Sequence, residues 1–422
     1  MDEKQIFTKC QLRLIPFIFF LYLVNYIDRV NVAFASLTMN KDLGLSPEVY
    51  AFGGSTFFIG YLVFQIPANL ILDRVGARRW VFFMLAIWGL ISTGNALIQG
   101  ATSYYVLRFI LGVAEAGFFP GMLLYMTYWF PREWRGRFVA SFMAAIPMAN
   151  IVGGPLSSII LQMDGFAALH GWQWVFILEG LPATALGIAA LKLLPDRPGS
   201  APWLSEDEKQ FIAKRLAADD TSEHHDLWPA LFDFRVIALG LVLLGNQIGL
   251  YGVQLWLPQI VQSMGFSNLA NGFVVAACFI AGMVAMIYWG RRSDAKGERI
   301  WHVIIPLSLA AAGMIVASLV HSNFVMLLAV AVSVVGTLAY NGPFFMLPST
   351  FLGGTAAAAG IGLVNTIGSF GRILASPIVG VLYQRTGSYS APMAALAVAM
   401  LMSAIIVMGL GRIMAARKVR YT

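Results

Sequence analysis

The sequence predicts an all-α polytopic membrane protein whose twelve transmembrane helices form two six-helix, pseudo-symmetric halves. Composition is the first reason: 59% of the 422 residues are hydrophobic and 12% are charged, against roughly 25% charged in a soluble domain. The second is the recurrence of apolar runs about 20 residues long, the length that a bilayer core demands of a helix. Charged loops and Gly/Pro clusters cut these runs into twelve, starting near residues 13, 48, 79, 103, 136, 172, 232, 269, 300, 323, 355 and 389. The third is a polar interval that separates six runs from six, with related loops on either side of it.

The first run follows Met1-Asp2-Glu3-Lys4 without a small-residue cleavage site and carries Asp28 and Arg29, so it reads as the first span rather than a cleaved leader. With the N-terminus in the cytoplasm, Lys and Arg collect on one side: Lys4, Lys9 and Arg13, then Arg74, Arg78 and Arg79, then the loops after spans four and eight and the C-terminal segment. The opposite side receives only Lys41 and Arg385. This positive-inside asymmetry predicts a multi-pass protein of the cell inner (plasma) membrane with both termini cytoplasmic. It also explains the net charge of +7 without nucleic acid as a partner. Cys10 and Cys278, one terminal and one within a span, suggest neither a disulfide framework nor a metal cluster.

The expected boundaries are an N-terminal half over residues 1–195, a cytoplasmic middle loop over 196–231 and a C-terminal half over 232–422. Within the loop, Ser205-Glu206-Asp207-Glu208 reads as the capped start of an amphipathic helix. The adjacent His224 and His225 make a poor preformed metal site. D-R-V-G-A-R-R after span two matches S-D-A-K-G-E-R after span eight, with Asp73 on Asp294, Gly76 on Gly297 and Arg78 on Arg299. Such a repeat implies two related halves with a site between them. An acid at a helix end, a turn glycine and an arginine at one membrane face suit a conformational latch; the plainer reading is a well-made turn carrying positive-inside charge.

Within the spans stand three arginines, Arg29, Arg108 and Arg372, and the acids Asp28, Glu115 and Glu179. Charge at membrane depth is expensive and marks a pathway. Arg108 and Glu115 are seven residues apart, on one helix face but about 10 Å apart along it, so each looks to another helix or to a ligand. Asp28 and Arg29 point about 100° apart. The expected arrangement puts Arg29 in a central cavity as an anion anchor, with Asp28 to the side, within reach of span-four groups. Arginine holds a carboxylate through two hydrogen bonds and keeps its charge. An anion that competes for these arginines leaves Asp28 and Glu115 readier to take protons, and reciprocity then couples the two ligands. Glu179, close to Trp172 and Trp174, which read as an interfacial belt, suits a structural hydrogen bond.

The C-terminal half has no acid deep in a span. It offers Asn246, Gln247, Tyr251, Gln254, Asn341, Asn365, Thr366 and Ser369, each of which also reads as helix-packing glue. Tyr251 and Asn365 are the preferred ligand contacts. Arg372, seven residues after Asn365, reads either as a second anion anchor suited to a dicarboxylate or as a side chain snorkelling to the cytoplasm.

D-R-V-G-A-R-R and R-F-I-L-G-V-A-E-A-G-F-F-P-G resemble signature motifs of the major facilitator superfamily. Together with N-Y-I-D-R-V-N, Y-W-F-P-R-E-W-R-G-R and G-W-Q-W-V-F-I-L-E-G-L-P, they resemble its anion:cation symporter branch, which carries sugar acids, tartrate, phthalate, nicotinate and similar anions. The resemblance implies protonation at Asp28 and Glu115, a substrate and coupling network at Arg29 and Arg108, and substrate contacts from Tyr61 and Asn365. It also implies a monomer.

The expected function is therefore proton-coupled import of a small organic carboxylate by rocker-switch alternating access. The proton is the coupling ion, no cofactor is needed, and no nucleotide-binding loop suggests ATP. An exporter or antiporter is the alternative, although N-I-V-G-G-P puts Asn150 where the antiporter motif has its first glycine. A non-transporting anion sensor is a further alternative. No nucleophile or metal constellation at membrane depth suggests an enzyme.

Overall fold

The computed structural model describes residues 2–219, 232–348, 351 and 354–420; His224 and His225 lie outside them, as does the side chain of Asp73. Among the described residues, twelve helices are long and apolar enough to cross a membrane. Spans one to six are Glu3–Asp42, Pro47–Leu72, Ala77–Leu97, Ala101–Thr127, Ala145–Met163 and Gly171–Leu193. Spans seven to twelve are Phe234–Ser263, Asn268–Lys296, Ile300–Leu319, Asn323–Met346, Ala359–Thr386 and Ser390–Ile413.

Two boundaries depart widely from the sequence expectation, and span eleven starts four residues late. Span one begins ten residues early, because Phe7 and Cys10 are buried and Lys9 pairs with Glu208, so the cytoplasmic extension packs as helix rather than fraying. The fifth segment, expected from residue 136, is a separate helix Arg132–Met143 followed by the span itself. Three arginines and a glutamate within six residues keep that first piece out of the apolar layer.

The chain divides into two compact units, Met1–Thr38 with Thr56–Ser222, and Met39–Ser55 with Glu223–Thr422. In the first unit, the helix Glu206–Asp219 carries the predicted capping box, since the Glu208 amide donates to Ser205 Oγ at 3.2 Å and the Ser205 amide donates to Glu208 Oε2 at 2.8 Å. This helix is tied down by Lys9 Nζ on Glu208 at 2.8 Å and by Arg215 on Glu133 at 3.0 Å.

Both units break one span at a proline. Span four consists of Ala101–Glu115 and Phe118–Thr127, and span ten of Asn323–Ala339 and Asn341–Met346. Pro120 and Pro343 lack the amide that would reach the carbonyls of Ala116 and Ala339, and their rings crowd those carbonyls. Glu115 therefore ends the first piece of span four, and Tyr340 lies at the break in span ten.

Candidate substrate and proton site

In the first unit, close backbone contact sets the site. Span two runs so near span four that a Cβ on Gly112 would overlap the Phe57 carbonyl, and one on Gly60 the Phe109 carbonyl. Small residues permit this approach between membrane helices, and it carries Phe57 and Tyr61 over to the charged face of span four. Arg108 lies 4.8 Å from the Phe57 ring centroid, and Arg29 lies 5.9 Å from the same ring and 4.9 Å from that of Tyr61. Two guanidinium groups thus share one aromatic ring.

Arg29 Nε donates to Glu115 Oε2 at 2.7 Å, and Asn25 Nδ2 donates to the same oxygen at 2.9 Å. Glu115 is fully buried and its other oxygen has no hydrogen-bond partner among the described residues. As the seven-residue spacing suggests, Glu115 turns to another helix rather than to Arg108. Arg108 is 2% exposed, yet its Nε and Nη1 meet no acceptor among the described residues. A closed ion pair stands beside a buried guanidinium with donors to offer.

Asp28 departs from the expected arrangement. It accepts from Trp88 Nε1 at 2.7 Å and Ser92 Oγ at 2.8 Å, both on span three, and from Asn31 Nδ2 at 3.3 Å. The offset that sends Arg29 to span four sends Asp28 to span three, where donors four residues apart share a face. Asn25, Phe57, Trp88 and Ser92 were not singled out from the sequence. Asn25 had a signal, standing one helical turn before Arg29; a Trp and a Ser in an apolar run had none. Glu179 accepts from Ser157 at 2.7 Å, the structural bond expected of it, whereas Trp172 is buried rather than in an interfacial belt.

In the second unit, Arg372 lies 5.5 Å from the ring centroid of buried Tyr251. Asn365 Nδ2 bonds back to the Ile361 carbonyl at 3.0 Å, and Asn341 Nδ2 caps the Thr337 and Leu338 carbonyls at 3.2 and 3.1 Å. Asn341 therefore bonds within its own span, at the span-ten break. The matched loops differ between the units. Gly76 and Gly297 both have positive φ, +89° and +61°. Arg299 pairs with Asp294 at 2.7 Å, closing its own turn. In the first unit, the Arg78 amide takes Asp196 Oδ1 at 2.8 Å, so the acid described at that turn comes from the end of span six.

Among the described residues, twelve membrane-length helices with charged and aromatic side chains meeting between them define a multi-pass membrane protein, and its family makes it a transporter rather than an enzyme. The chain belongs to the major facilitator superfamily, whose model matches residues 18–376. It is 43% identical over 413 residues to a candidate tartrate transporter of Agrobacterium vitis, covering 97% of this chain and 95% of that one. It is 39% identical over 409 residues to a quinolone resistance transporter of Acinetobacter baumannii, covering 96% and 94%. Among solved structures it resembles a bacterial homolog of the human lysosomal transporter Spinster, with a TM-score of 0.76 at 15% identity over 94% of this chain and 96% of that one.

Proposed function

We propose that this transporter is a proton-coupled symporter of the anion:cation branch that imports a small organic carboxylate: a sugar acid, a tartrate-like dicarboxylate or an aromatic carboxylate. The observation that carries this reading is Arg108, buried with unpaired donors beside the Arg29–Glu115 pair. Removing a guanidinium from water is costly unless an acid meets it, and an incoming carboxylate is the acid that fits. Tyr61 stacks its ring over Arg29 in the same cluster.

Coupling follows from charge. A carboxylate that engages Arg108 and draws on Arg29 weakens the hold of Arg29 on Glu115. A proton on Glu115 then replaces the partner that Arg29 gives up, sparing a bare carboxylate at membrane depth, and anion and proton favour each other's binding. Asp28, held by neutral donors, is the second proton site. In the other unit, Tyr251 and Asn365 are contacts for the substrate. Asp73, Gly76 and Arg78, with Asp294, Gly297 and Arg299, serve as the conformational latch of a rocker-switch cycle. The coupling ion replaces any cofactor. The protein works as a monomer in the cell inner membrane with both termini cytoplasmic, an orientation supported by the basic loops.

The test is uptake into proteoliposomes. Glu115→Gln should abolish proton-driven accumulation of a labelled carboxylate while leaving carboxylate exchange in place. Accumulation by this variant against a gradient, as in wild type, removes Glu115 from coupling. Export is the second reading, favoured by the likeness to a drug-resistance transporter. Carboxylate-independent extrusion of neutral or cationic drugs would establish it.

A further inference from the structure

The second unit carries a set of polar groups that the proposed proton chemistry does not use. Asn246 on span seven is 1% exposed, and both its amide nitrogen and its amide oxygen lack hydrogen-bond partners among the described residues. The same holds for the amide oxygen of neighbouring Gln247, for the hydroxyl of fully buried Tyr340 and for Nε of Arg372. These atoms belong together. Spans seven and eleven pack along each other. A Cβ on Gly371 would come within 3.0 Å of the Gln247 Cβ and would overlap the Leu244 carbonyl, so Arg372 stands against the Asn246–Gln247 turn. The Tyr340 hydroxyl and the Asn246 amide are side-chain neighbours, and Arg372 is within electrostatic range of that hydroxyl.

Buried polar groups are as a rule hydrogen-bonded, and a cluster of exceptions asks for an explanation. These residues neighbour one another, and Tyr340 among them sits at the proline break of span ten. Gly/Pro interruptions at corresponding places in two halves point to binding sites in carriers, and span four has its own break beside Glu115. The chemistry is specific: an amide donor and acceptor, an amide acceptor, a phenol and one guanidinium. Hydroxyl groups both donate and accept, which answers the amides and the phenol, and a carboxylate answers the arginine.

We propose that Asn246, Gln247, Tyr340 and Arg372 form a recognition pole for a hydroxylated carboxylate. This inference rests on the carboxylate-transporter reading and narrows it: the substrate is a hydroxy acid, of the sugar-acid or tartrate kind, rather than an aromatic carboxylate. A site built to hydrogen-bond a hydroxyl rejects an analogue that lacks it, because its own buried groups are then left unpaired.

The experiment measures affinity and thermal stabilisation of the detergent-purified full chain with D-gluconate, L-tartrate and benzoate. Wild type should bind one of the hydroxy acids at least about tenfold more tightly than benzoate. Tyr340→Phe and Asn246→Ala should each reduce that preference severalfold, and Arg372→Gln should weaken hydroxy-acid binding about tenfold, with partial rescue by Arg372→Lys. Tyr340→Phe removes a hydroxyl without a hydrogen-bond partner among the described residues, so the melting temperature without ligand should hold or rise while the ligand-induced shift falls. That split separates recognition from packing. If wild type binds benzoate as well as the hydroxy acids, or if all the variants keep the wild-type preference, the pole is overturned while carboxylate transport stands. If wild type binds none of the three, the carboxylate reading falls, and the pole with it.

Discussion

The two units break a span in the same way and furnish the break differently. In the first, Pro120 leaves Glu115 at the end of a helical piece, where Arg29 closes on it and Arg108 waits beside a shared aromatic ring. In the second, Pro343 leaves Tyr340 at the break among amides and a single arginine, with no acid at that depth. An acid paired with arginine can exchange its partner for a proton, which neutral amides cannot do. The lesson is a division of labour: the backbone device is shared, while only one copy is equipped to titrate.

Substitutions can break or sharpen this contrast. The largest expected effect is at Arg108. Arg108→Ala should weaken carboxylate affinity about 100-fold, well beyond the effect of Arg372→Gln, because an anchor in direct contact with the anion is lost; equal losses at the two arginines would erase the asymmetry. Next come the close helix contacts. Gly112→Ala in the first unit and Gly371→Ala in the second drive a methyl into the carbonyls of Phe57 and Leu244. Each should lower stability by about 1–3 kcal/mol, read as a drop in melting temperature in detergent.

The paired loops should respond unequally, Gly76 as strongly as the close contacts and Gly297 less. Gly76 has φ +89° and ψ 148°, and a Cβ there would come within 3.1 Å of Asp196 Oδ1. Gly297 sits in an ordinary left-handed turn at φ +61° with open space around it. Gly76→Ala should destabilise by roughly 1–3 kcal/mol and Gly297→Ala by about 1 kcal/mol.

The smallest effect is one of pH. The Lys9 ammonium, and then the Ser205 amide, hold the Glu208 carboxyl below its usual range. A lowered folded-state pKa stabilises the protein above the ordinary carboxylate range, and the benefit is lost as pH falls through the lowered value. Glu208→Gln should therefore melt slightly lower than wild type at neutral pH, and the difference should vanish in acid. A difference that persists in acid would mean that shape, not charge, ties this helix to the first unit.

The number and places of the spans were legible because a bilayer imposes one length and one polarity on every helix, and nine of the twelve starts fall within about three residues of the apolar runs. The charged fifth segment misled, since its Trp and Phe residues resemble the start of a span. The same compulsion made Asp28, Arg29, Arg108 and Glu115 visible: charge at membrane depth stands out against leucine and valine. So did the glycines of the two loops, as turn residues.

What the sequence by itself determined is which residues are available at membrane depth and which share a helix face. Which neighbour each face meets was decided only by the tertiary structure. Helical geometry separates Asp28 from Arg29 by a fixed angle but does not say that Trp88 and Ser92 wait on one side and Glu115 on the other. Nor does it say that Phe57 lies against both arginines, or that Tyr340, Asn246 and Arg372 converge from three spans. Those meetings depend on how closely helices approach, and that is set by glycines on one helix and carbonyls on another, a relation that no single stretch of sequence contains.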